Sequence, residues 1–297
     1  MNQPTPIYPH ALKQGDKIGI VAPSSHYDAP LLNDAKKLFE NKGFELVFHP
    51  QTKERYGQFA GTPAQRAEAI HDYFKDDSIK AIFCLSGGNG AIHLLDLLDY
   101  GLIKANPKVF IGFSDATILL NAISAKTGLT TFQGPSFARA VKIEPQWQEQ
   151  MFATLMGQSS EIKINSNENF TGMLYGGCLS PFQALLGTPY APDMDKAVLM
   201  LEDINDHLSR YDRMIGHMKQ AGCFKNLSGI ILGEFLNALD NEERPFGFTI
   251  DQIVANSAPN TPLVTNAPFG HGDNLCTLPI GAEITLKNDK LSFKELA

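Results

Sequence analysis

The chain of 297 residues is short of cysteine and of positive charge, and it lacks a long hydrophobic run. Its 4 cysteines, Cys84, Cys178, Cys223 and Cys276, are widely scattered. None shows the Cys-x-x-Cys spacing of a zinc site, and a disulfide framework is not expected either. Each is read as a small buried hydrophobe in a reducing compartment. Lys and Arg number 25 against 32 Asp and Glu, and the pI lies near 5.6. No basic run offers the positive surface that a phosphate backbone needs, so nucleic acid is not an expected partner. No apolar stretch reaches the length of a membrane span. The first residues have no basic segment followed by an apolar one, so no secretory signal is read and a cytoplasmic location is expected.

What is present is an ordinary globular composition, 43% hydrophobic and 19% charged. A chain of this length is expected to hold two domains with a cleft between them. In the first half, Lys17–Ala22, Phe44–Phe48, Ile79–Leu85 and Val109–Gly112 read as short apolar strands. Helical segments lie around them, over 29–42, 63–75, 91–98 and 115–126. The second of these starts with Thr62 as N-cap, Pro63 in the first turn and Gln65 three residues beyond the cap. Strands alternating with helices imply a parallel sheet covered on both faces, with the chemistry at the strands' carboxyl ends.

From about Gln146 to Asn169 the periodicity loosens, which reads as a crossover between domains. The second half shows strands at 197–201, 229–233, 262–265, 282–286 and 290–293. It also has one clear helix, 210–221, stopped by Gly222. The expected layout is an N-terminal α/β domain over 1–150, a crossover over 151–170 and a β-rich α/β domain over 171–297.

Two loops stand at the carboxyl ends of first-half strands. In Gly112-Phe113-Ser114-Asp115-Ala116, a serine sits between a strand and a helix with small residues two positions away on either side. A tight strand-to-helix turn exposes a hydroxyl in this way, and the amide of Asp115 then points where an oxyanion forms. Simple capping of the helix by Ser114 explains the same segment. The loop Ser86-Gly87-Gly88-Asn89-Gly90 permits close approach of a substrate, and the Gly88 amide is a second candidate oxyanion donor. It lacks the lysine and the spacing of a phosphate cradle, while an ordinary turn remains the plain alternative.

A serine nucleophile needs a base, and the base needs an orienting carboxylate. Among 8 histidines, His71, His93 and His217 fall in predicted helices and His10 near the start of the chain. His26 and His49 follow strands and stay open, and His271 is held between Gly270 and Gly272 in a loop. Glu202 ends an apolar strand, with Asp203 and Asp206 as rivals. The order Ser, acid, His is one of several in which such triads occur.

These residues, with their surroundings, carry a resemblance to a known family. They include Ala22-Pro23-Ser24-Ser25, Phe59-Ala60-Gly61-Thr62 with Arg66, Gly87-Gly88-Asn89-Gly90, Gly112-Phe113-Ser114-Asp115 and Gln133-Gly134-Pro135. The second half adds Gly176-Gly177, Leu201-Glu202-Asp203, Tyr211-Asp212-Arg213, Gly270-His271 and Leu278-Pro279-Ile280-Gly281. Together, in this order, they resemble the LD-carboxypeptidases, serine peptidases of peptidoglycan recycling.

The resemblance implies a flavodoxin-like or amidotransferase-like N-terminal sheet and a smaller C-terminal domain. It implies a triad of Ser114, Glu202 and His271, with no metal or other cofactor, and usually a homodimer. The implied substrate is the muropeptide stem L-Ala-D-Glu-meso-diaminopimelate-D-Ala, cut before the terminal D-Ala. Gly87 and Asn89 are candidate substrate contacts, and a terminal carboxylate calls for an arginine fork, for which Arg66, Arg139 and Arg213 are equal candidates. This chain departs from the pattern at Ser86, Asn89 and His93 of the glycine loop. It also departs at Cys178, where asparagine is common. A microcin-immunity branch, acting on acyl– or peptide–nucleotide conjugates, also varies in this loop. A peptide-binding protein without catalysis is the alternative of a different class.

Overall fold

The apolar runs and the amphipathic segments between them form two sheets in a computed structural model that describes residues 4–27, 32–158 and 161–297. Through the first half the order is β1 (Lys17–Val21), α1 (Leu32–Asn41), β2 (Glu45–Phe48), α2 (Pro63–Lys75), β3 (Ile79–Cys84), α3 (Tyr100–Ala105), β4 (Val109–Gly112), α4 (Thr117–Thr127), β5 (Thr131–Gln133) and α5 (Pro145–Leu155). Then follow β6 (Ile162–Lys163), β7 (Phe170–Cys178), α6 (Leu179–Leu185), β8 (Ala197–Ile204), α7 (Leu208–Gln220), β9 (Gly229–Leu236), α8 (Ile250–Ser257), β10 (Leu263–Val264), β11 (Leu278–Ile280), β12 (Glu283–Lys287) and β13 (Lys290–Phe293).

The first sheet has the order β2-β1-β3-β4-β5, all parallel, with β11 added antiparallel at the edge beyond β5. The alternation implies this parallel sheet and the family resemblance its flavodoxin-like winding, which places a crevice at the carboxyl ends of β1 and β3. Alternate residues of each strand face opposite layers. Phe83 of β3 packs on Phe39 of α1 with ring centroids 5.0 Å apart, while Phe110 of β4 stacks on Phe74 of α2 at 6.0 Å. Thr62 caps α2 with the reciprocal Gln65 bonds read from the sequence.

The second sheet has the order β10-β9-β8-β7-β12-β13-β6, parallel from β10 to β7 and antiparallel beyond. Helix α4 joins the two sheets. Almost every side chain from Thr117 to Ser124 is buried, so it has no solvent face to be amphipathic about. Burying Leu119, Leu120 and Ile123 contributes about 1.5–3 kcal/mol each relative to exposure. Among the described residues, no helix is long and apolar enough to cross a membrane.

Several sequence expectations shift. The stretch read as a structureless crossover begins with α5, whose Phe152 packs on Phe39 at 5.2 Å, and it also contains β6. Pro145 occupies the first turn of α5, a start signal hidden by the polar run that follows. The helix expected over 91–98 is only a 3₁₀ segment, Ala91–Leu94, because Asp99 caps a separate helix, α3, by accepting the Leu102 amide at 2.9 Å. The helix expected from Asp115 begins as a 3₁₀ turn, Ser114–Ala116, before α4. The expected start of the first helix, residues 29–31, lies outside the described residues. Strands β5, β7 and β11 were not anticipated. β8 does not stop before Glu202 but continues to Ile204.

Candidate active site

Ser114 stands at the end of β4 with φ of +60°, a left-handed conformation that serine adopts only at a cost of about 1–2 kcal/mol. The chain arrives extended through Phe113 and leaves through the 3₁₀ turn into α4. The turn is tight on all sides. A Cβ on Gly112 would lie 2.6 Å from Cβ of Ala116, and one on Gly87 would lie 2.8 Å from Cβ and 3.1 Å from Oγ of Ser114. The glycine loop therefore presses directly against the hydroxyl. Its position is held by the Asp115 carboxylate, which accepts the Ala91 amide at 2.8 Å. Burial raises the Asp115 pKa, with the Ala91 amide and the Arg66 charge pulling it back.

The second sheet delivers an imidazole–carboxylate pair. His271 Nδ1 lies 2.7 Å from Oε2 of Glu202, which has no exposed surface. Burial raises the Glu202 pKa, and the His271 hydrogen bond opposes that rise. Glu202 sits where the register of β8 against β9 slips between Leu201 and Asp203. The extra residue lies in β9, between Leu232 and Phe235, and interrupts the pairing beside Glu202, while β8 keeps its register with β7 through Glu202. On its other side Glu202 is the register partner of Cys178. Asp203 is committed elsewhere, its two oxygens accepting the Ser180 amide at 2.9 Å and the Ile204 amide at 2.7 Å.

Residues from the first sheet's side hold the His271 loop. Arg139 Nη2 donates to the carbonyls of His271 and, at 2.6 Å, Gly272. Its guanidinium lies 5.5 Å from the ring centre of Phe113, and the same ring meets His271 at a tilt of 49° with centroids 4.5 Å apart. The imidazole thus rests on the residue that precedes Ser114. From the other side, the Glu234 amide of β9 donates to the Phe269 carbonyl at 2.8 Å.

Two family descriptions match, LD-carboxypeptidase N-terminal domain over residues 18–134 and LD-carboxypeptidase C-terminal domain over residues 171–286. The chain belongs to the LD-carboxypeptidase family. A probable murein peptide carboxypeptidase of Bacillus subtilis is 29% identical over 293 residues, covering 94% of this chain and 91% of that protein. The crystal structure of an MccF-like protein from Bacillus anthracis superposes with a TM-score of 0.85 at 27% identity, covering 97% and 99% of the two chains. That of a muramoyltetrapeptide carboxypeptidase from Oxalobacter formigenes gives 0.82 at 25%, covering 95% and 99%.

Within this member of the family the other candidates are distributed as follows. Gly87 borders Ser114, and Gly88 and Asn89 are exposed at the lip of the loop, where the Asn89 amide donates to Ser25 Oγ at 3.2 Å. Arg66 is fully buried, donating to the carbonyls of Pro23 at 2.5 Å, Gly90 at 2.9 Å and Gly61 at 3.2 Å. Its role is to brace the glycine loop. Arg213 is exposed on α7. Asp206 forms an i,i+4 ion pair with Arg210 at 3.4 Å. His49 contacts Asp72 at 3.3 Å, and His26 lies 3.0 Å from the Gln58 carbonyl.

Sequence reasoning missed three contributors. Arg139 was weighed only as a carboxylate binder, and the Asp115 side chain was passed over in favour of its amide. Cys178 stands out in the sequence as a buried hydrophobe and a departure from the family pattern, not as a neighbour of the acid.

Proposed function

We propose that this chain is a serine carboxypeptidase that hydrolyses the bond between the L-centre of meso-diaminopimelate and the terminal D-Ala of peptidoglycan tetrapeptides. Membership of a family of carboxypeptidases, with relatives named for murein peptides, supports the substrate class. The observation that carries the chemistry is the contact of His271 with Phe113, ring centroids 4.5 Å apart, which brings the imidazole held by Glu202 against the residue preceding Ser114.

The mechanism follows from the chain's own groups. His271 keeps its proton on Nδ1, donated to Glu202, and its Nε2 lone pair accepts the proton of Ser114 as Oγ attacks the carbonyl. Glu202 holds that tautomer and stabilises the imidazolium. The amides of Gly88 and Asp115 receive the oxyanion, a donor of that kind being worth on the order of 100–1000-fold in rate. The imidazolium then returns its proton to the departing D-Ala amine. Water, deprotonated by His271, releases the acyl group from Ser114. The strained φ at Ser114 keeps the hydroxyl at the crest of the turn, and the glycine loop leaves space beside it.

Purified protein incubated with the tetrapeptide should lose one D-Ala, seen as a single mass decrease, with the tripeptide as the other product. The likeness to an MccF-like protein gives the second reading a definite form. An intact tetrapeptide together with cleavage of an aminoacyl-sulfamoyl nucleoside would move the assignment to that branch.

A further inference from the structure

We propose that Cys178, Glu202 and His271 form a binding site for a borderline-soft divalent cation of the zinc type, and that the ion shuts the active site off. Their ligand atoms all lie within 4.8 Å of one another. The three come from the carboxyl ends of β7 and β8 and from the loop after β10, so no spacing in the sequence announces them. Cys178 and Glu202 face each other across two parallel strands in direct register. Glu202 Oε1 is wholly buried without an N–H or O–H donor, its other oxygen is taken by His271, and the Cys178 thiol interacts with the same carboxylate. An unsatisfied carboxylate oxygen beside a thiol and an imidazole is a donor set waiting for a cation.

The donor chemistry selects the ion. Thiolate and imidazole suit zinc or cadmium, whereas magnesium and calcium require oxygen ligands. Zinc distances of about 2.0–2.3 Å set tetrahedral donors roughly 3.3–3.7 Å apart, so His271 Nδ1, now 2.7 Å from Glu202 Oε2, moves off that oxygen to make room for the ion. The His271 side chain, 13% exposed and flanked by two glycines, is the one able to move and to admit the ion. Asp203 is not free to join, since both its oxygens accept backbone amides. Water therefore completes a tetrahedron. On binding, the Cys178 thiol proton leaves to solvent and the imidazole gives up Nδ1 to the metal. Its one remaining proton then sits on Nε2. An Nε2–H cannot accept the Ser114 proton, so the site is inhibited without Ser114 being touched. This inhibitory half rests on the proposed role of His271 as base.

The test separates binding from catalysis. Cadmium is titrated into the full chain while the thiolate-to-metal charge-transfer band in the ultraviolet is recorded, and zinc inhibition of tetrapeptide hydrolysis is measured in parallel. One equivalent should saturate the band. Cys178→Ala should lose it and raise the inhibitory zinc concentration by about tenfold or more. His271→Ala, checked for folding by its thermal transition, should lose the band as well. A band that survives in both variants, or no band in the wild type up to millimolar cadmium, overturns the proposal. A Cys178-dependent band in a protein that cleaves no tetrapeptide would leave the metal site standing and remove the peptidase reading instead.

Discussion

Asn121 clasps Gly176 through two hydrogen bonds, donating from Nδ2 to its carbonyl at 2.8 Å and accepting its amide on Oδ1 at 2.9 Å. Asn121 lies on the helix that follows Ser114, and Gly176 on the strand beside Glu202. Thr117, one turn earlier, accepts the Cys178 amide at 3.1 Å. Side chains larger than hydrogen have no room here: a Cβ on Gly177 would lie 2.8 Å from Thr117 Oγ1. The helix that follows the serine turn is thereby tied to β7, the strand that pairs with the acid-bearing β8.

The strain at Ser114 predicts a trade of stability for activity. Ser114→Gly removes the left-handed penalty and should raise folding stability by about 1 kcal/mol, while hydrolysis is lost. Chemical denaturation of the two proteins, at matched slope, measures the gain.

Gly87 is required by contact with Ser114 and not by its backbone angle. Gly87→Ala should cut kcat by about 100-fold through displacement of the hydroxyl and cost about 1–3 kcal/mol in stability. In a Ser114→Gly background the clash partner is gone, so the same alanine should cost much less. A double-mutant cycle in denaturant reads the coupling.

Glu202→Gln should lower kcat on the order of 10,000-fold, by analogy with loss of the acid in other triads. It should also change the pH dependence of stability in a defined direction. Burial raises the folded-state pKa of Glu202 above its unfolded value. The stability this group contributes is present below the unfolded pKa and is lost as pH rises through the folded one. Glutamine does not titrate. The variant's stability relative to wild type should therefore increase from acid towards neutral pH, as thermal scans at several pH values will show.

Arg139→Lys keeps the charge but loses the fork that reaches the His271 and Gly272 carbonyls. It should lower kcat with little change in KM, and cost about 1.5–3 kcal/mol in stability for each bond lost. An effect confined to KM would instead place Arg139 on the substrate's carboxylate.

Much of this arrangement was legible in the residue order because it is local. The Thr62 box, Gly222 closing α7 and the small residues around Ser114 each act within a few positions, and each is seen where expected. β10 placed His271 beyond a strand end, as the glycines suggested. What escaped depends on distant chain. β7 hid because its paired glycines look like a turn, yet their angles of +117° and +129° serve close packing against β8 and α4. β11 is three residues long and gains its place only by pairing with β5. Arg139 meets the His271 loop across 132 residues, and Cys178 meets Glu202 only through strand register.

The central claim is that Ser114 is the nucleophile, and it is tested most directly by trapping it. The protein is exposed to an acylating analogue of the tetrapeptide, and the adduct is mapped by mass spectrometry. A single acyl group on Ser114 is expected, formed far more slowly in His271→Ala and absent in Ser114→Ala. An adduct that forms on Cys178, or that persists undiminished in Ser114→Ala, would contradict it.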